Sequence, residues 1–307
     1  MVKPLVELTE HIDFSEQAFS GSQECRRLFH GRGHAYEGLF HVNVDWFPPV
    51  VLIILYREVV GDELRMLAEI LRAKIPECKS VQVQHRTRPH APFELISGDS
   101  ISALTVIEHG LTYAIQLGAS QNVGLFLDMA NGRKWVMENA KGKTVLNLFS
   151  FTCSFSVAAL AGGAKQVYNV DNNSGVLRRG RENHLLNNHD MRAVRFNKID
   201  IFKSFGRLRK HGPYNLLISD PPSFQRGSVD IKRDYGKIIR QFPRLMEPDG
   251  KIMLCLNTPD LGEDFLFDLL EKHCPQCCYI EKISAPRVFR EAVKAKGLKV
   301  LVLTYQP

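Results

Sequence analysis

After about residue 120 the sequence alternates short apolar segments with amphipathic ones, and this alternation restricts the fold more than any other feature. Apolar segments of strand length lie at 144–149, 166–170, 193–197, 214–219, 251–256, 279–283 and 298–305. Segments of helical spacing lie at 155–161, 174–186, 231–245 and 262–272. Repeated strand–helix units form a parallel sheet with helices on both faces. We therefore predict a doubly wound, Rossmann-like α/β fold with a seven-stranded, mainly parallel sheet, whose last two strands can pair antiparallel at an edge.

The first 120 residues have a different pattern, in which strands outnumber helices. Strand segments lie at 36–45, 50–56, 80–85, 105–109 and 111–117, and the last two form a hairpin that turns at His109-Gly110. A helix with leucines at helical spacing begins at Asp62 and ends before Pro76. These elements predict a small α+β domain. We divide the chain into residues 1–118, which hold the lead-in and this domain, and residues 119–307, which hold the α/β domain.

Several classes of protein are disfavoured by the composition. No apolar segment reaches the ~18 residues that a membrane-spanning helix needs, and the N-terminus lacks the cationic and apolar parts of a signal peptide. We therefore expect a cytoplasmic protein with no membrane part. The 7 cysteines are an odd number and are expected to be reduced. Cys274, Cys277 and Cys278 follow His273, but no second pair of ligands lies nearby, so no metal site is predicted.

The formal net charge of +7 is unevenly distributed along the chain. Residues 1–120 hold 11 lysines and arginines against 15 acidic residues, whereas residues 121–307 hold 29 against 18. The basic surplus therefore lies in the predicted α/β domain, which favours a polyanionic partner such as RNA or DNA. The alternative is a solvated basic surface that serves solubility alone. Nothing in the sequence decides between a monomer and a homodimer.

One segment concentrates positive charge. Six cations lie between residues 226 and 244, namely Arg226, Lys232, Arg233, Lys237, Arg240 and Arg244. The last four recur at helical spacing on a helix that is predicted to begin near Ile231. We therefore expect these four on one helix face, where they would contact RNA phosphates whatever the base sequence.

Acidic residues follow three of the predicted parallel strands, at the edge where a doubly wound sheet binds its ligand. Asp171 ends the second strand, at the position from which a carboxylate accepts hydrogen bonds from ribose hydroxyls. Asp200 follows the third strand and can accept from the exocyclic amine of an adenine, with Ile201 covering the ring. A single such acid is more often a helix N-cap or a solvated loop residue. Three of them at successive strand ends, Asp171, Asp200 and Asp220, indicate a nucleoside site.

The loop after the first strand, residues 148–155, contains small and polar residues that let a ligand approach the backbone. It lacks the Gly-x-Gly-x-x-Gly pattern that holds the pyrophosphate of a dinucleotide. An adenosine ligand without phosphates fits this loop better. The sequence therefore points to S-adenosylmethionine as the cofactor.

The fourth strand runs into Asp220-Pro221-Pro222-Ser223-Phe224. The two prolines remove backbone donors and fix a rigid, extended turn. The carbonyls of Asp220 and Pro221, with the Asp220 side chain, can then bind amino groups of a planar base while Phe224 stacks on it. Such a sequence is often only a tight turn, but its place after the fourth strand favours a substrate site. The predicted catalytic residues are Asp220, Pro221, Pro222 and Phe224.

Four features together resemble one family of proteins. They are Gly-Leu-Phe-Leu-Asp at 124–128, Val-Leu-Asn-Leu-Phe-Ser-Phe-Thr at 145–152, Asp171, and Asp-Pro-Pro-Ser-Phe at 220–224. The family is the bacterial group of 23S rRNA methyltransferases that contains the large-subunit methyltransferases I and K. The resemblance extends to the hairpin at 104–118, and the N-terminal module resembles the family's central domain. It implies methylation of an rRNA base with S-adenosylmethionine as the cofactor.

The chain departs from this family's pattern in two places. Cys153-Ser154 stands where the family usually has two glycines, so this loop must fit the cofactor with side chains present. Members that methylate cytosine C5 use a cysteine just after the fifth strand, where this chain has Asn257, with Cys255 two residues earlier. Attack at C5 needs a thiolate that adds to the ring, and Cys255 lies within an apolar strand. The departure favours a ring nitrogen such as guanine N7, which needs no covalent nucleophile.

The run at 124–133 is expected to lie over the methionine end of the cofactor. Asp128 would pair with its amino group and Arg133 with its carboxylate; the alternative is an ordinary amphipathic helix start. The predicted cofactor-binding residues are Phe126, Asp128, Arg133, Phe149, Ser150, Thr152, Ser154, Asp171, Asn172, Asp200, Ile201 and Asp220.

The leading hypothesis is an S-adenosylmethionine-dependent methyltransferase that acts on an RNA base, in 23S rRNA by resemblance. A methyltransferase that acts on a protein or a small molecule is the first alternative. A non-catalytic RNA-binding protein that retains the fold is the second. The basic surplus and Asp-Pro-Pro-Ser-Phe favour the leading hypothesis.

Overall fold

The computed structural model describes residues 3–15, 19, 24–222, 224–225 and 229–307, with only the backbone at 224 and 225. The chain forms two compact units, Met1–Asp128 with Pro286–Lys294, and Met129–Ala285 with Ala295–Pro307. This division describes compactness alone, and the expected domain boundary after residue 118 stays a prediction.

The first unit is an α+β structure. Its elements are β1 (Arg26–His30), β2 (Val42–Phe47), β3 (Val50–Leu55), α1 (Gly61–Lys74), β4 (Ser80–His85), β5 (Phe93–Gly98), β6 (Ala103–Glu108) and β7 (Leu111–Gln116), with short 3₁₀ helices at Leu5–His11 and Gly31–Gly33. Strands β1 to β5 form one sheet in sequence order, and only β3 and β4 pair in parallel. The leucines of α1 are buried beneath it, as their spacing predicts.

Two local predictions for this unit have different outcomes. The hairpin of β6 and β7 is confirmed, with positive φ at both His109 (51°) and Gly110 (75°) as a tight hairpin turn requires. The strand expected at 36–45 is wrong in its first half, because the chain turns at Gly38 (φ 77°) and becomes extended only at Val42. Strands β1 and β5 were not predicted from the sequence.

The second unit carries the alternating pattern. Its helices are α2 (Ala130–Asn139), α3 (Ser154–Ala161), α4 (Ser174–Leu186), α5 (Phe205–Arg209), α6 (Ile231–Ile239), α7 (Phe242–Leu245) and α8 (Asp264–His273). Its strands are β8 (Thr144–Leu148), β9 (Gln166–Asp171), β10 (Val194–Lys198), β11 (Tyr214–Ser219), β12 (Phe224–Gln225), β13 (Val229–Asp230), β14 (Met246–Leu256), β15 (Cys277–Lys282) and β16 (Lys299–Tyr305). Short 3₁₀ helices of this unit lie at Met191–Ala193 and Ile201–Lys203, and two more, Leu127–Met129 and Lys294–Lys296, lie where the chain passes from one unit to the other.

Seven of these strands form one sheet in the order β10-β9-β8-β11-β14-β16-β15. The first five are parallel, whereas β16 pairs antiparallel with both β14 and β15. The chain proceeds outward from β8 to β10 and then returns to β11 on the other side of β8. This reversal is the point at which doubly wound folds bind ligands. The predicted seven-stranded, mainly parallel α/β fold is confirmed.

Helices cover both faces of the sheet, since the central strands are apolar on both sides. One buried cluster joins residues of α2 and α3 to Val145, Ile218 and Cys255 of the strands. The other joins residues of α6, α7 and α8 to Leu146 and Leu217. Strands buried on both faces are expected for a parallel sheet.

The helix predicted at 231–245 is wrong in its second half. Helix α6 ends at Ile239, and the short α7 begins at Phe242. The cause is Pro243, which has no N–H to donate to the carbonyl of Ile239 and whose ring would collide with that carbonyl in a continuous helix. The sequence contained this signal.

A line of buried polar side chains links the sheet to the helices on one face. Asn147 donates to Asn169 Oδ1 at 2.9 Å, and Asn169 donates to Ser156 Oγ at 2.9 Å. Ser156 Oγ lies 2.9 Å from His184 Nε2, and His184 Nδ1 lies 2.9 Å from His189 Nδ1. A neutral imidazole that accepts at Nε2 and donates at Nδ1 satisfies every group in this line. Burial, together with the nearby His189, lowers the pKa of His184 to about 3.

His184 should therefore make the stability of the fold depend on pH. Its folded pKa lies below the ordinary 6.5, so its contribution is complete above that value and is lost as the pH falls toward 3. Between about pH 6 and pH 4 the unfolded chain binds one proton that the folded imidazole does not, which costs about 1.4 kcal/mol per pH unit. Urea unfolding of wild type and His184→Gln over this range measures the difference in slope. Equal slopes would contradict the assignment.

Candidate functional site

The register of the sheet brings the predicted site segments to one edge. Leu148 is paired with Val170 on one side and with Ser219 on the other. The residues that come after these positions, Phe149, Asp171 and Asp220, therefore leave neighbouring strands side by side. The outer strand β10 is in register with them, because Lys198 is paired with Asp171.

The loop between β8 and α3 has an unusual backbone. Phe149, Phe151 and Cys153 all have positive φ angles, of 55°, 47° and 61°. Side chains other than glycine adopt this conformation at a cost of about 1 kcal/mol or more each. The position at which the related family has glycine, Cys153, is thus one at which glycine is physically favoured.

Asp171 holds this loop in place. Its Oδ2 accepts a hydrogen bond from the Phe151 N–H at 3.0 Å, and its Oδ1 accepts one from the Asn173 N–H at 2.9 Å. Burial raises the pKa of Asp171, while these backbone donors act in the opposite direction. An ionised carboxylate has about four acceptor positions, so capacity remains for further donors. The neighbouring Asn172 is exposed.

Helix α4 packs against this loop and supports it. Asn183 donates to the Thr152 carbonyl at 2.9 Å, and Cys153 is fully buried. A methyl group at Gly180 would overlap the Cys153 sulfur and lie 2.9 Å from its Cβ. The missing side chain of Gly180 therefore makes room for the cysteine. Burial raises the pKa of the Cys153 thiol far above its ordinary value, so this thiol is not a nucleophile.

Asp200 has the role of a helix cap. Its Oδ1 accepts from the Phe202 N–H at 2.9 Å and from the Lys203 N–H at 3.4 Å, at the start of the 3₁₀ helix. The side chain is exposed, and Oδ2 lies 3.6 Å from Lys203 Nζ. Ile201 is only 4% exposed and packs in the core, which leaves little of it to cover a ring.

The substrate segment begins directly after β11. Asp220 and Pro222 are half-buried and Pro221 is buried. Ser223 and the side chain of Phe224 lie outside the residues that the structure describes, and the stacking role of Phe224 stays a prediction.

A residue that the sequence analysis missed ties this segment to the next strand. Tyr235 of α6 is 1% exposed, and its hydroxyl lies 3.2 Å from the Ser219 carbonyl oxygen and 2.9 Å from that of Cys255. The signal in the sequence was the helical spacing of Ile231, Tyr235 and Ile239, which places the tyrosine on the buried face. A buried tyrosine hydroxyl needs a partner.

The other predicted cofactor residues are dispersed. Phe126 is 42% exposed, and Asp128 lies in the 3₁₀ helix Leu127–Met129 of the first compact unit. Arg133 lies in α2 and is 2% exposed. Ser150 is buried, and Ser154 begins α3. The cofactor roles of these residues stay predictions.

The predicted basic helix face is wrong. Asp234, which is 2% exposed, pairs with Arg233 Nη2 at 2.7 Å and with Lys237 Nζ at 2.8 Å. The bonds from Arg233 and Lys237 hold the pKa of Asp234 well below its usual range. Because Arg244 lies in the separate helix α7, the four cations do not lie on one continuous helix. Arg226 lies outside the described residues.

In the part of the chain that the structure describes, no helix is long and apolar enough to cross a membrane. The same residues contain no group of three or more histidine, cysteine or acidic side chains that could hold a metal ion. Among the cysteines that follow His273, the Cys277 thiol donates to Cys274 Sγ at 3.3 Å.

Comparison with known proteins adds a family to this geometry. The model of the S-adenosylmethionine-dependent methyltransferase family matches residues 26–304. Ribosomal RNA large subunit methyltransferase I of Erwinia tasmaniensis is 28% identical over 283 residues, 84% of this chain and 71% of that protein. Methyltransferase K of Neisseria meningitidis is 31% identical over 239 residues, 73% of this chain and 65% of that protein. A solved methyltransferase complexed with SAH has a TM-score of 0.87 at 26% identity, covering 97% of this chain and 80% of that one.

The sheet order defines a doubly wound α/β fold of the kind that binds ligands at the carboxyl edge of its sheet. The chain belongs to the S-adenosylmethionine-dependent methyltransferase family, whose model matches most of its length. Its cofactor is S-adenosylmethionine, and the resemblance to the rRNA methyltransferases I and K is confirmed. The residues present fit this cofactor, because Asp171 retains acceptor capacity beside a loop without a phosphate cradle.

The contact between Cys153 and Gly180 gives a test of how the loop is supported. Gly180→Ala should destabilise the fold by about 1–3 kcal/mol, since the new methyl group overlaps the buried cysteine. Cys153→Gly in the same chain should recover part of this loss, because it removes the overlapping side chain and relaxes the left-handed residue. Chemical unfolding of the single and double variants measures this coupling.

Gly206→Ala is the matched control, since the nearest atom to a Cβ there is Arg209 Nη2 at 3.7 Å. It should leave stability unchanged or slightly raised. If the effects of Gly180→Ala and Cys153→Gly on stability were strictly additive, the two residues would have no energetic interaction.

Proposed function

We propose that this methyltransferase modifies a base in large-subunit ribosomal RNA, in the cytoplasm. The observation that carries the proposal is the strand register that sets Asp220-Pro221-Pro222 on one side of the loop after β8 and Asp171 on the other side. A planar base bound at Asp220 would thereby lie next to a cofactor bound at Asp171. The names of the related methyltransferases I and K support rRNA as the substrate class.

The electrostatics of the chain agree with an RNA substrate. Residues 121–307 hold 29 lysines and arginines against 18 acidic residues. Lys232, Arg240 and Arg244 are exposed near the substrate segment in sequence, and they differ from Arg233 and Lys237 in having no ion pair with Asp234. Exposed cations of this kind bind phosphates and leave base selection to other groups.

The cofactor roles follow from the geometry of the strand ends. Asp171 accepts hydrogen bonds from the ribose hydroxyls, and Asp200 with the backbone of Ile201 contacts the adenine. Phe149, Ser150, Thr152 and Ser154 line the cofactor along the loop. When bound, S-adenosylmethionine supplies an electrophilic methyl group on a sulfonium sulfur.

We further propose that the acceptor is a ring nitrogen, with guanine N7 favoured. Cys255 is fully buried inside β14 and packs among apolar residues, whereas Asn257 stands exposed beyond the strand. A buried thiol cannot add to a base, so covalent activation of cytosine C5 has no nucleophile at this position. A ring nitrogen with a free lone pair needs only to be oriented toward the methyl group, which Asp220 and the Pro221 carbonyl can do by binding the amino group of the base.

The nucleoside site is tested by the affinity for S-adenosylmethionine. Asp171→Asn should weaken binding by about 1–3 kcal/mol, because an amide replaces a charged acceptor of two hydroxyls. Asp200→Ala should cost less, since part of the adenine contact comes from the backbone. Titration calorimetry of the folded variants measures both.

Asp190→Ala is the matched control, because Asp190 caps the 3₁₀ helix before β10 as Asp200 caps the one after it. Its affinity should equal that of wild type. An unchanged dissociation constant in Asp171→Asn would refute the assignment of the ribose site.

The substrate is tested by transfer of labelled methyl groups to rRNA from a strain that lacks this protein, followed by mass spectrometry of the nucleosides. We expect one methylated nucleoside in large-subunit RNA, with the methyl on a ring nitrogen. Cys255→Ala should retain this activity, since the thiol only packs in the core. Transfer to protein instead of RNA would refute the proposed substrate, and loss of activity in a folded Cys255→Ala variant would favour C5 chemistry.

A further inference from the structure

Tyr235 lies where two central strands leave the sheet. Its hydroxyl is 3.2 Å from the carbonyl oxygen of Ser219, the last residue of β11, and 2.9 Å from that of Cys255 near the end of β14. The two strands pair in parallel, with Ser219 opposite Leu254. Beyond this point the ladder ends, and carbonyl groups need other donors. The one hydroxyl proton of the tyrosine is therefore shared between the Ser219 and Cys255 carbonyls.

The Ser219 carbonyl determines how the substrate segment leaves the sheet. A peptide bond is planar, so the orientation of this carbonyl also sets the direction of the bond to Asp220. The next two residues are Pro221 and Pro222, which have no N–H group with which to attach the segment to the sheet. A donor to the Ser219 carbonyl consequently fixes the direction in which the substrate segment leaves the sheet. The segment itself has few backbone N–H groups that could do so.

The segment after β14 is held from both sides. Tyr235 binds the carbonyl of Cys255, and Lys299 donates from Nζ to the carbonyl of Thr258 at 2.7 Å. Lys299 is 1% exposed and stands opposite Leu256 at the start of β16. Asn257 lies between these two anchored carbonyls. The segment assigned to the base, at Asp220, and the neighbouring segment at Asn257 thus both begin next to carbonyls that buried side chains hold.

We propose that Tyr235 is a positioning residue for methyl transfer, whose hydroxyl fixes the backbone that carries Asp220 and Asn257 relative to the transferred methyl group. The inference rests on the proposed function of these segments. Tyr235 itself touches neither cofactor nor base. Its effect is therefore expected on the rate of transfer and not on the affinity for the cofactor, which is bound at β8, β9 and β10.

A second buried tyrosine, at the other end of β11, provides a matched control. Tyr214, at the start of β11, is fully buried and donates to the Leu208 carbonyl at 2.8 Å. Tyr214→Phe and Tyr235→Phe both remove one buried hydroxyl from a carbonyl partner and keep the ring. They differ in that Tyr214 lies at the start of β11, whereas the Tyr235 hydroxyl binds the carbonyl at its end.

The experiment measures kcat and KM for methyl transfer to rRNA, the dissociation constant of S-adenosylmethionine, and thermal stability, for wild type and both variants. Tyr235→Phe should lower kcat by about 10- to 100-fold, with cofactor affinity within about twofold of wild type. Tyr214→Phe should lower stability to a similar degree and leave kcat unchanged. This contrast separates positioning from general support of the fold.

Three results would overturn the inference, and they are distinguishable. If wild type methylates rRNA and Tyr235→Phe keeps its kcat, Tyr235 has no positioning role while the proposed function stands. The same holds if both variants lose kcat in proportion to their loss of stability. If wild type transfers no methyl group to any RNA, the proposed function fails and this inference fails with it.

Discussion

The parallel pairing of β9, β8 and β11 brings three chain segments to one edge of the sheet, and the candidate site depends on it. Leu148 lies between Val170 and Ser219 in register, so the residues just beyond them are neighbours although up to about 70 positions separate them in sequence. A shift of one residue in the pairing of β8 with β9 would separate Asp171 from the loop whose Phe151 N–H donates to it. Packing of the apolar strands on both faces fixes this register, and the register in turn determines the positions of the site residues.

The loop at this edge adopts its shape without the glycines that such a shape favours. Three non-glycine residues have left-handed backbones, at positions 149, 151 and 153. The cost is offset by bonds made elsewhere, from the Phe151 N–H to Asp171 and from Asn183 to the Thr152 carbonyl. Gly180 in helix α4 has no side chain, and this leaves space for Cys153. Proteins often have a strained loop at a functional site, where packed neighbours compensate for the strain.

Much of this architecture could be predicted from the sequence, because periodicity reports burial. Seven apolar segments became the seven strands, and Asp171, Asp200 and Asp220 lie at strand ends as expected. The break before Pro243 was also predictable, since proline cannot continue a helix. Other features could not be predicted. Helical spacing showed that Arg233 and Lys237 would be exposed but not that both pair with Asp234. Likewise, the Tyr235 hydroxyl binds carbonyls at the ends of β11 and β14. These partners could not be predicted, because they depend on the order of the strands in the sheet.

The central claim is that the cofactor's nucleoside is bound at the carboxyl edge of the sheet by Asp171. The most direct measurement is a crystal structure of this chain with S-adenosylhomocysteine, which stands in for the cofactor without its methyl group. We expect both ribose hydroxyls within hydrogen-bond distance of the Asp171 carboxylate, with the adenine beside Asp200 and the loop at 149–153 along the nucleoside. A nucleoside bound elsewhere on the sheet, or one whose ribose makes no contact with Asp171, would contradict the claim.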